Sequence, residues 1–376
     1  MEKAILPSLS ALRFFAASTI VIHHGIGTNQ LPRPALPFDQ AVSFFFVLSG
    51  FILTYRYEGM SGWRSIKPYL VARFARLWPA HLVTAIAAVL IVPELDWLLL
   101  PNLALVHAWI PVPIVYFSYN AVSWTISTEA FFYLAFIFLI VNWRRAWPWK
   151  LALCLLLLAA MFASVSFVQP PKFEPGSISS HGLLYISPLA RLLEFAVGMV
   201  SFLLYRRASK LPRSIALWTA LEAASVAFLV WCTVTIPFTR IGLQYLPRGS
   251  EEYLGHAGLW PAFPLVILVF AVGRGLLSRL VSNRVLVALG EASYSLYLVH
   301  LLVFIVLTRH ASMNGFSGLA AGCAISLCLS VILWRYWEMP ARQIIKRAAD
   351  LKPQTGYLKF RWQSPDPKSH GPRQTG

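Results

Sequence analysis

Apolar runs long enough to cross the ~30 Å hydrocarbon core of a bilayer as helices recur along the chain, separated by short polar stretches. In order, they predict spans at roughly 8–26, 41–56, 77–93, 121–141, 150–168, 187–205, 214–236, 258–273, 285–308 and 316–337. Another apolar stretch, 94–120, is broken by Pro101, Pro111 and Pro113, which a helix interior does not accommodate. It is expected to be a re-entrant or interfacial segment rather than a span. From 341 the chain turns polar and carries Pro353, Pro365, Pro367 and Pro372; beyond about 350 it should be disordered. The expected fold is all-α and polytopic, with about ten transmembrane helices. A membrane domain would cover 1–345 and a basic, proline-containing tail 346–376.

Composition agrees with that pattern. Of 376 residues, 57% are hydrophobic and 12% charged, about half the charged share of a soluble globular chain, and the mean hydropathy is +0.63. A net charge of +17 would point to nucleic acid in a soluble protein. Here its distribution gives another cause. With ten spans and both termini cytoplasmic, 24 Lys and Arg residues fall in inside regions and five in outside loops, as the positive-inside rule requires. Counting 94–112 as a further span would put Arg144, Arg145, Arg206 and Arg207 outside. The four cysteines (Cys154, Cys232, Cys323, Cys328) lie in apolar runs, so neither a disulfide framework nor a zinc site is indicated, and no metal is expected. Arg13 and the pair His23-His24 interrupt the first apolar run, and no small-residue cleavage site follows. That run is read as an uncleaved span.

Candidate chemistry follows from polar groups inside spans, which are costly there and default to function. Eleven steps separate Arg13 from His24. At 100° and 1.5 Å per residue they lie within about 20° of one face and roughly 16 Å apart along it. Glu129 enters from the outside at a depth similar to His24, so the two could form a base and its orienter; equally, Glu129 could be a structural counter-ion. Arg73 and Arg76, three apart, make a fork suited to phosphate, or else anchor the cytoplasmic end. His23 points about 100° from His24 and is better placed to face another helix. Arg191 and Glu194 have the spacing of an ion pair, as do Arg335 and Glu338. Ser293, Tyr297 and His300 form a polar stripe that could line a cavity or bond between helices. Ser49-Gly50 would let another helix approach closely.

Taken together, these residues resemble the acyltransferase-3 family of integral-membrane enzymes that O-acylate bacterial surface polysaccharides and related sugars. The likeness runs over about residues 5–345. It rests on Arg13 with His24, Phe45-Phe46-Val47-Leu48-Ser49-Gly50-Phe51, Arg73-Phe74-Ala75-Arg76-Leu77-Trp78-Pro79-Ala80 and Trp124-Thr125-Ile126-Ser127-Thr128-Glu129. It continues with Arg191-Leu192-Leu193-Glu194-Phe195 and Gly198, Tyr294-Ser295-Leu296-Tyr297-Leu298-Val299-His300, and Trp337-Glu338-Met339-Pro340. Phe14 stands where the family commonly has Gly. The resemblance implies a transfer of an acetyl or similar short acyl group from cytoplasmic acyl-CoA to a glycan or lipid-linked sugar hydroxyl at the outer face of a bacterial inner membrane. Acyl-CoA would be a substrate, with no permanently bound cofactor. His24 would be the base, Glu129 its orienter, and Arg13, Arg73 and Arg76 the donor-binding residues; Trp124, Ser127, Tyr297 and His300 would line the cavity. The competing reading is a transporter whose intramembrane Arg, His and Glu form a substrate or proton path. Transporters commonly show repeated halves, and no internal repeat is visible in this chain.

Overall fold

The computed structural model describes residues 5–93, 96–212, 214–235 and 247–349, and these are helical with no strand. The tail beyond 349 and Arg240 lie outside the described residues. Among the described residues fifteen α-helices follow in order: α1 Pro7–Thr28, α2 Ala41–Tyr57, α3 Trp63–Ile91, α4 Leu99–Leu103, α5 Pro113–Tyr116, α6 Trp124–Leu139, α7 Trp143–Val168, α8 Pro188–Ala208, α9 Ile215–Thr235, α10 Ser250–Ala257, α11 Phe263–Val272, α12 Leu276–Val281, α13 Arg284–His310, α14 Gly315–Leu333 and α15 Met339–Ala348. Nine helical stretches among the described residues are long and apolar enough to cross a membrane. The chain is a multi-pass membrane protein.

The predicted span at 258–273 is shorter than expected. Pro261 and Pro264 leave only the ten-residue helix α11, about 15 Å long, preceded by α10 and a turn. It still leads from one end of the bundle to the other. His256 of α10 bonds Asp39 at the far end, while Arg274, just past α11, donates to the carbonyls of Ser209 and Leu211. The described part of the segment expected at 94–120, residues 96–120, does not cross. It folds back on the bundle as α4, α5 and 3-10 turns. His81 donates to the Asn102 carbonyl at 3.0 Å, Asn102 Nδ2 to the Ser118 carbonyl at 2.9 Å, and Ser127 Oγ to the Leu105 carbonyl at 2.7 Å. The boundary expected at 345 falls inside α15, which continues to Ala348.

Burial sorts the helices. In the apolar window of 182–208, 72% of residues are buried, against 17% in those of α7 and α9. The second pair shows lipid its side chains, Leu156, Phe167 and Trp231 among them. At the centre, backbones touch. A Cβ on Gly50 would sit 1.9 Å from the Phe195 carbonyl oxygen, one on Gly198 1.9 Å from that of Val47, and one on Gly290 1.7 Å from that of Ser10. Glycine is therefore required where α2 meets α8 and where α13 meets α1, and the close approach expected at Ser49-Gly50 is present. Arg191 and Glu194 form the expected ion pair at 3.1 Å, fully buried. Arg191 also donates to Ser43 Oγ at 2.9 Å and lies over the Phe46 and Tyr185 rings, bolting α8 to α2.

Arg335 and Glu338 do not pair. The chain makes a π-helical turn over Trp334–Glu338, whose extra residue per turn rotates i and i+3 off a common face. Arg335 is exposed. Glu338 is fully buried and accepts from Arg76 Nη1 at 2.8 Å, from Ser295 Oγ at 2.6 Å and from Arg342.

Candidate active site

A cavity of about 260 Å³ opens at the end of the bundle formed by the start of α1, the end of α2 and the first half of α3. Arg13, Arg56, Arg73 and Arg76 stand on its wall. The sequence thus places three of its expected donor-binding residues in one chamber. Arg73 Nη2 reaches the Tyr57 hydroxyl at 3.4 Å, and its guanidinium lies over the Tyr57 and Tyr133 rings. Arg76 lies over the Tyr294 ring, 4.9 Å from its centroid. Deeper in, the wall turns apolar through Val42, Phe45, Phe46 and Ile126 and reaches Thr125 and Tyr297. The Tyr297 hydroxyl bonds those of Thr125 at 3.1 Å and the carbonyl of Val122 at 3.2 Å.

One helical turn beyond Tyr297 stands His300, fully buried, its ring 5.8 Å from that of Tyr297. His300 is the partner of His24: Nδ1 of His24 and Nε2 of His300 are 3.0 Å apart. The bonding assigns the protons. His300 Nδ1 faces the Leu296 carbonyl at 3.3 Å; a carbonyl only accepts, so this nitrogen carries hydrogen. His300 Nε2 then holds a lone pair and accepts from His24 Nδ1–H. His24 Nε2 then carries the lone pair, on a side chain that is only partly buried. His300 thus fixes the His24 ring through Nδ1 and leaves the lone pair on Nε2.

Glu129 does not hold His24. It lines the cavity, where Oε1 accepts from the Tyr133 hydroxyl at 2.6 Å and Ser49 Oγ at 3.4 Å. Thr125 bonds Tyr297, one turn short of His300, and Glu129 stands a further turn along α6 toward the mouth, so it does not share the depth of His24 as expected, and it faces Ser49 of α2 rather than α1. The same rotation takes Trp124 and Ser127 off the cavity wall. Trp124 packs on Phe46 and Tyr185, and Ser127 bonds the folded-back segment. Thr125, Ile126 and Glu129, one face of α6, line the chamber in their place. His23 forms an edge contact with His24 and lies within electrostatic reach of Asp39, Arg33 and His256.

Sequence reasoning missed several polar groups. Glu291 lines the cavity within electrostatic reach of Arg13 and Arg76; only its position three residues before Tyr294 hinted at this. At the far end, His181, Glu252 and His256 bring potential ligand atoms within 4.8 Å of one another. Glu252 accepts from His181 at 2.5 Å and lies 3.3 Å from His256 Nε2 and 3.0 Å from Lys172; His256 Nδ1 bonds Asp39 at 2.5 Å. The group has the composition of a metal site, where none was expected. In this structure its carboxylates are already engaged by imidazoles and an ammonium, so it acts as an ion-pair clamp. Burial pulls the His256 pKa down, but Asp39 and Glu252 outweigh it and raise the value to about 9. Burial pushes Glu252 up, yet the two imidazoles hold it below the usual carboxylate range.

The cavity lining includes Tyr297 but neither His24 nor His300, so His300, expected on the wall, stands one turn behind it. The comparisons give the class: residues 6–335 match the acyltransferase domain family, and the chain belongs to that family of membrane acyltransferases. Among curated relatives, it is 30% identical over 347 residues to acyltransferase MdmB of Streptomyces mycarofaciens, covering 84% of this chain and 82% of that protein. It is 24% identical to Nodulation protein 10 of Rhizobium leguminosarum bv. viciae, covering 89% and 92%. No solved structure matches the chain.

Proposed function

We propose that this acyltransferase moves an acetyl or similar short acyl group from cytoplasmic acyl-CoA to a hydroxyl of a glycan or lipid-linked sugar at the outer face of a bacterial inner membrane. The observation that carries this reading is the graded cavity: arginines at its mouth, aromatic and aliphatic walls within, and the His300–His24 pair one turn past its end. The excess of basic residues at the mouth supports a cytoplasmic position for that end under the positive-inside rule. Both termini then lie inside, Arg73 and Arg76 grip phosphates, and Arg13 flanks the path of the donor. Glu129 and Ser49 stand where the amides of the pantetheine arm would pass.

In the reaction, His24 Nε2 takes the acceptor's hydroxyl proton as that oxygen attacks the thioester carbon. The new C–O bond forms, the C–S bond breaks, and the coenzyme A thiolate leaves, to be protonated by the imidazolium. A sugar hydroxyl is almost wholly protonated near neutral pH, so the base is essential. His300 holds the His24 ring and its tautomer throughout. The test is acyl transfer by purified protein with donor binding measured alongside. His24→Ala should bind acyl-CoA normally while transfer falls by roughly 10²–10⁴, and His23→Ala should do much less. Near-normal transfer by His24→Ala would remove it from the mechanism.

A further inference from the structure

The cavity mouth has a second wall, formed by α15, whose basic residues belong to none of the motifs. Met339, Arg342, Gln343, Lys346 and Arg347 of α15 all line it. Their spacing of three and four places them along one stripe of the helix, while Ile344 on another face is 65% exposed. We propose that α15 is the far jaw of a clamp for the nucleotide end of the donor. Arg342, Lys346 and Arg347 would face Arg73 and Arg76 and recognise the 3′-phosphate of coenzyme A. This rests on the acyl-CoA reading above and extends it to a part of the ligand.

Three observations support the clamp. First, charge on the wall is one-sided: seven Arg and Lys residues line the cavity against two carboxylates, Glu129 and Glu291. The positive-inside rule explains basic residues on the cytoplasmic side; it does not make them converge on one interior space from α1, α2, α3 and α15. A ligand with several phosphates does.

Second, α15 is fixed in place. Buried Glu338 ties Arg76 of α3, Ser295 of α13 and Arg342 of α15 together, and Trp337 Nε1 donates to the Pro79 carbonyl at 2.8 Å. The π-turn described above aims Glu338 at Arg76, so the angle of α15 is built into the end of α14. α15 itself buries no residue; it is a cover whose cavity face is polar.

Third, the polarity of the cavity orients the donor. An acyl group belongs in the apolar depth near Phe45 and Tyr297, which leaves the nucleotide at the mouth. The diphosphate, nearer the pantetheine arm, falls to Arg73 and Arg76. The 3′-phosphate, on the outermost sugar and carrying nearly two charges as a monoester, falls to α15.

The test uses the full-length protein in detergent with acetyl-CoA and 3′-dephospho-acetyl-CoA as probes, measuring equilibrium binding and transfer kinetics. Lys346→Gln/Arg347→Gln is the variant of choice, since Arg342 also bonds Glu338. Wild type should bind acetyl-CoA at least about tenfold more tightly than the dephospho form, as expected for loss of a charge-assisted contact. The double variant should lose that preference by weakening only acetyl-CoA, with KM raised and kcat unchanged. Equal weakening of both donors, or no change in either, overturns the clamp while leaving the acyl-CoA reading in place. Wild type binding neither probe overturns the acyl-CoA reading and the clamp with it.

Discussion

His24 and His300 are separated by 276 positions yet their rings are bonded, and in the proposed reaction His300 acts only through His24. Its loss should differ from loss of the base. His300→Ala should keep donor affinity and retain part of the transfer rate, because His24 Nε2 can still take a proton when its ring is mispositioned. His300→Gln, whose carbonyl oxygen can accept from His24 Nδ1–H, should recover most of the wild-type rate. The measurement is kcat for the three proteins at saturating donor, with binding as a control. Equal loss in the Ala and Gln variants would mean that His300 has a role other than accepting that bond.

At the level of elements, two kinds of contact hold the site's scaffold. The backbone contact of α2 with α8 leaves no room for a side chain at Gly50. Gly50→Ala should lower stability by about 1–3 kcal/mol through overpacking, read as a lower unfolding temperature in detergent. Gly59→Ala, where a Cβ meets nothing within 4 Å, is the control and should leave it unchanged. The far-end clamp is electrostatic instead. The folded pKa of His256 is raised, so its contribution is complete below the ordinary value of 6.5 and is lost as pH rises through about 9. Glu252 is held low, so its contribution is present above the ordinary 4.5 and lost as pH falls. Amide protection in 250–257 should therefore be greatest between those ordinary values and fall on either side. His256→Asn should abolish the alkaline arm, and an unchanged alkaline arm would remove His256 from the clamp.

For the molecule as a whole, the proposed orientation rests on charge and can be tested directly. In a cysteine-free background, a cysteine replacing Glu174 should label from outside the cell and one replacing Lys210 should not; the reverse result would invert the proposed direction of transfer. Most of the helical layout was legible in the sequence because hydropathy is a local property and each span declares itself within about twenty residues. That Arg73 and Arg76 lie on one side of α3 was legible for the same reason, since both residues belong to one helix turn. What was not legible depends on docking. Which face of α6 meets the chamber is set by its neighbours, so Trp124 and Ser127 were placed on the wall and Thr125 overlooked. The partner of His24 is chosen by the register of α13 on α1, fixed at Gly290 far down the helix. Glu338 was assigned to Arg335 because ordinary helix spacing hides a π-turn.

The glycine contacts carry a further consequence for energetics. Helices whose backbones touch cannot rock past one another without prising open their tightest packing, so α2 and α8 form a stationary partition rather than a moving gate. Under the proposed reaction, coenzyme A never leaves the side it came from, and the permeability barrier is not opened. Only a few atoms change sides, and they do so by exchanging one covalent bond for another. Vectorial work of this kind draws on the thioester itself, with no need for an ion gradient or nucleotide hydrolysis to drive the passage.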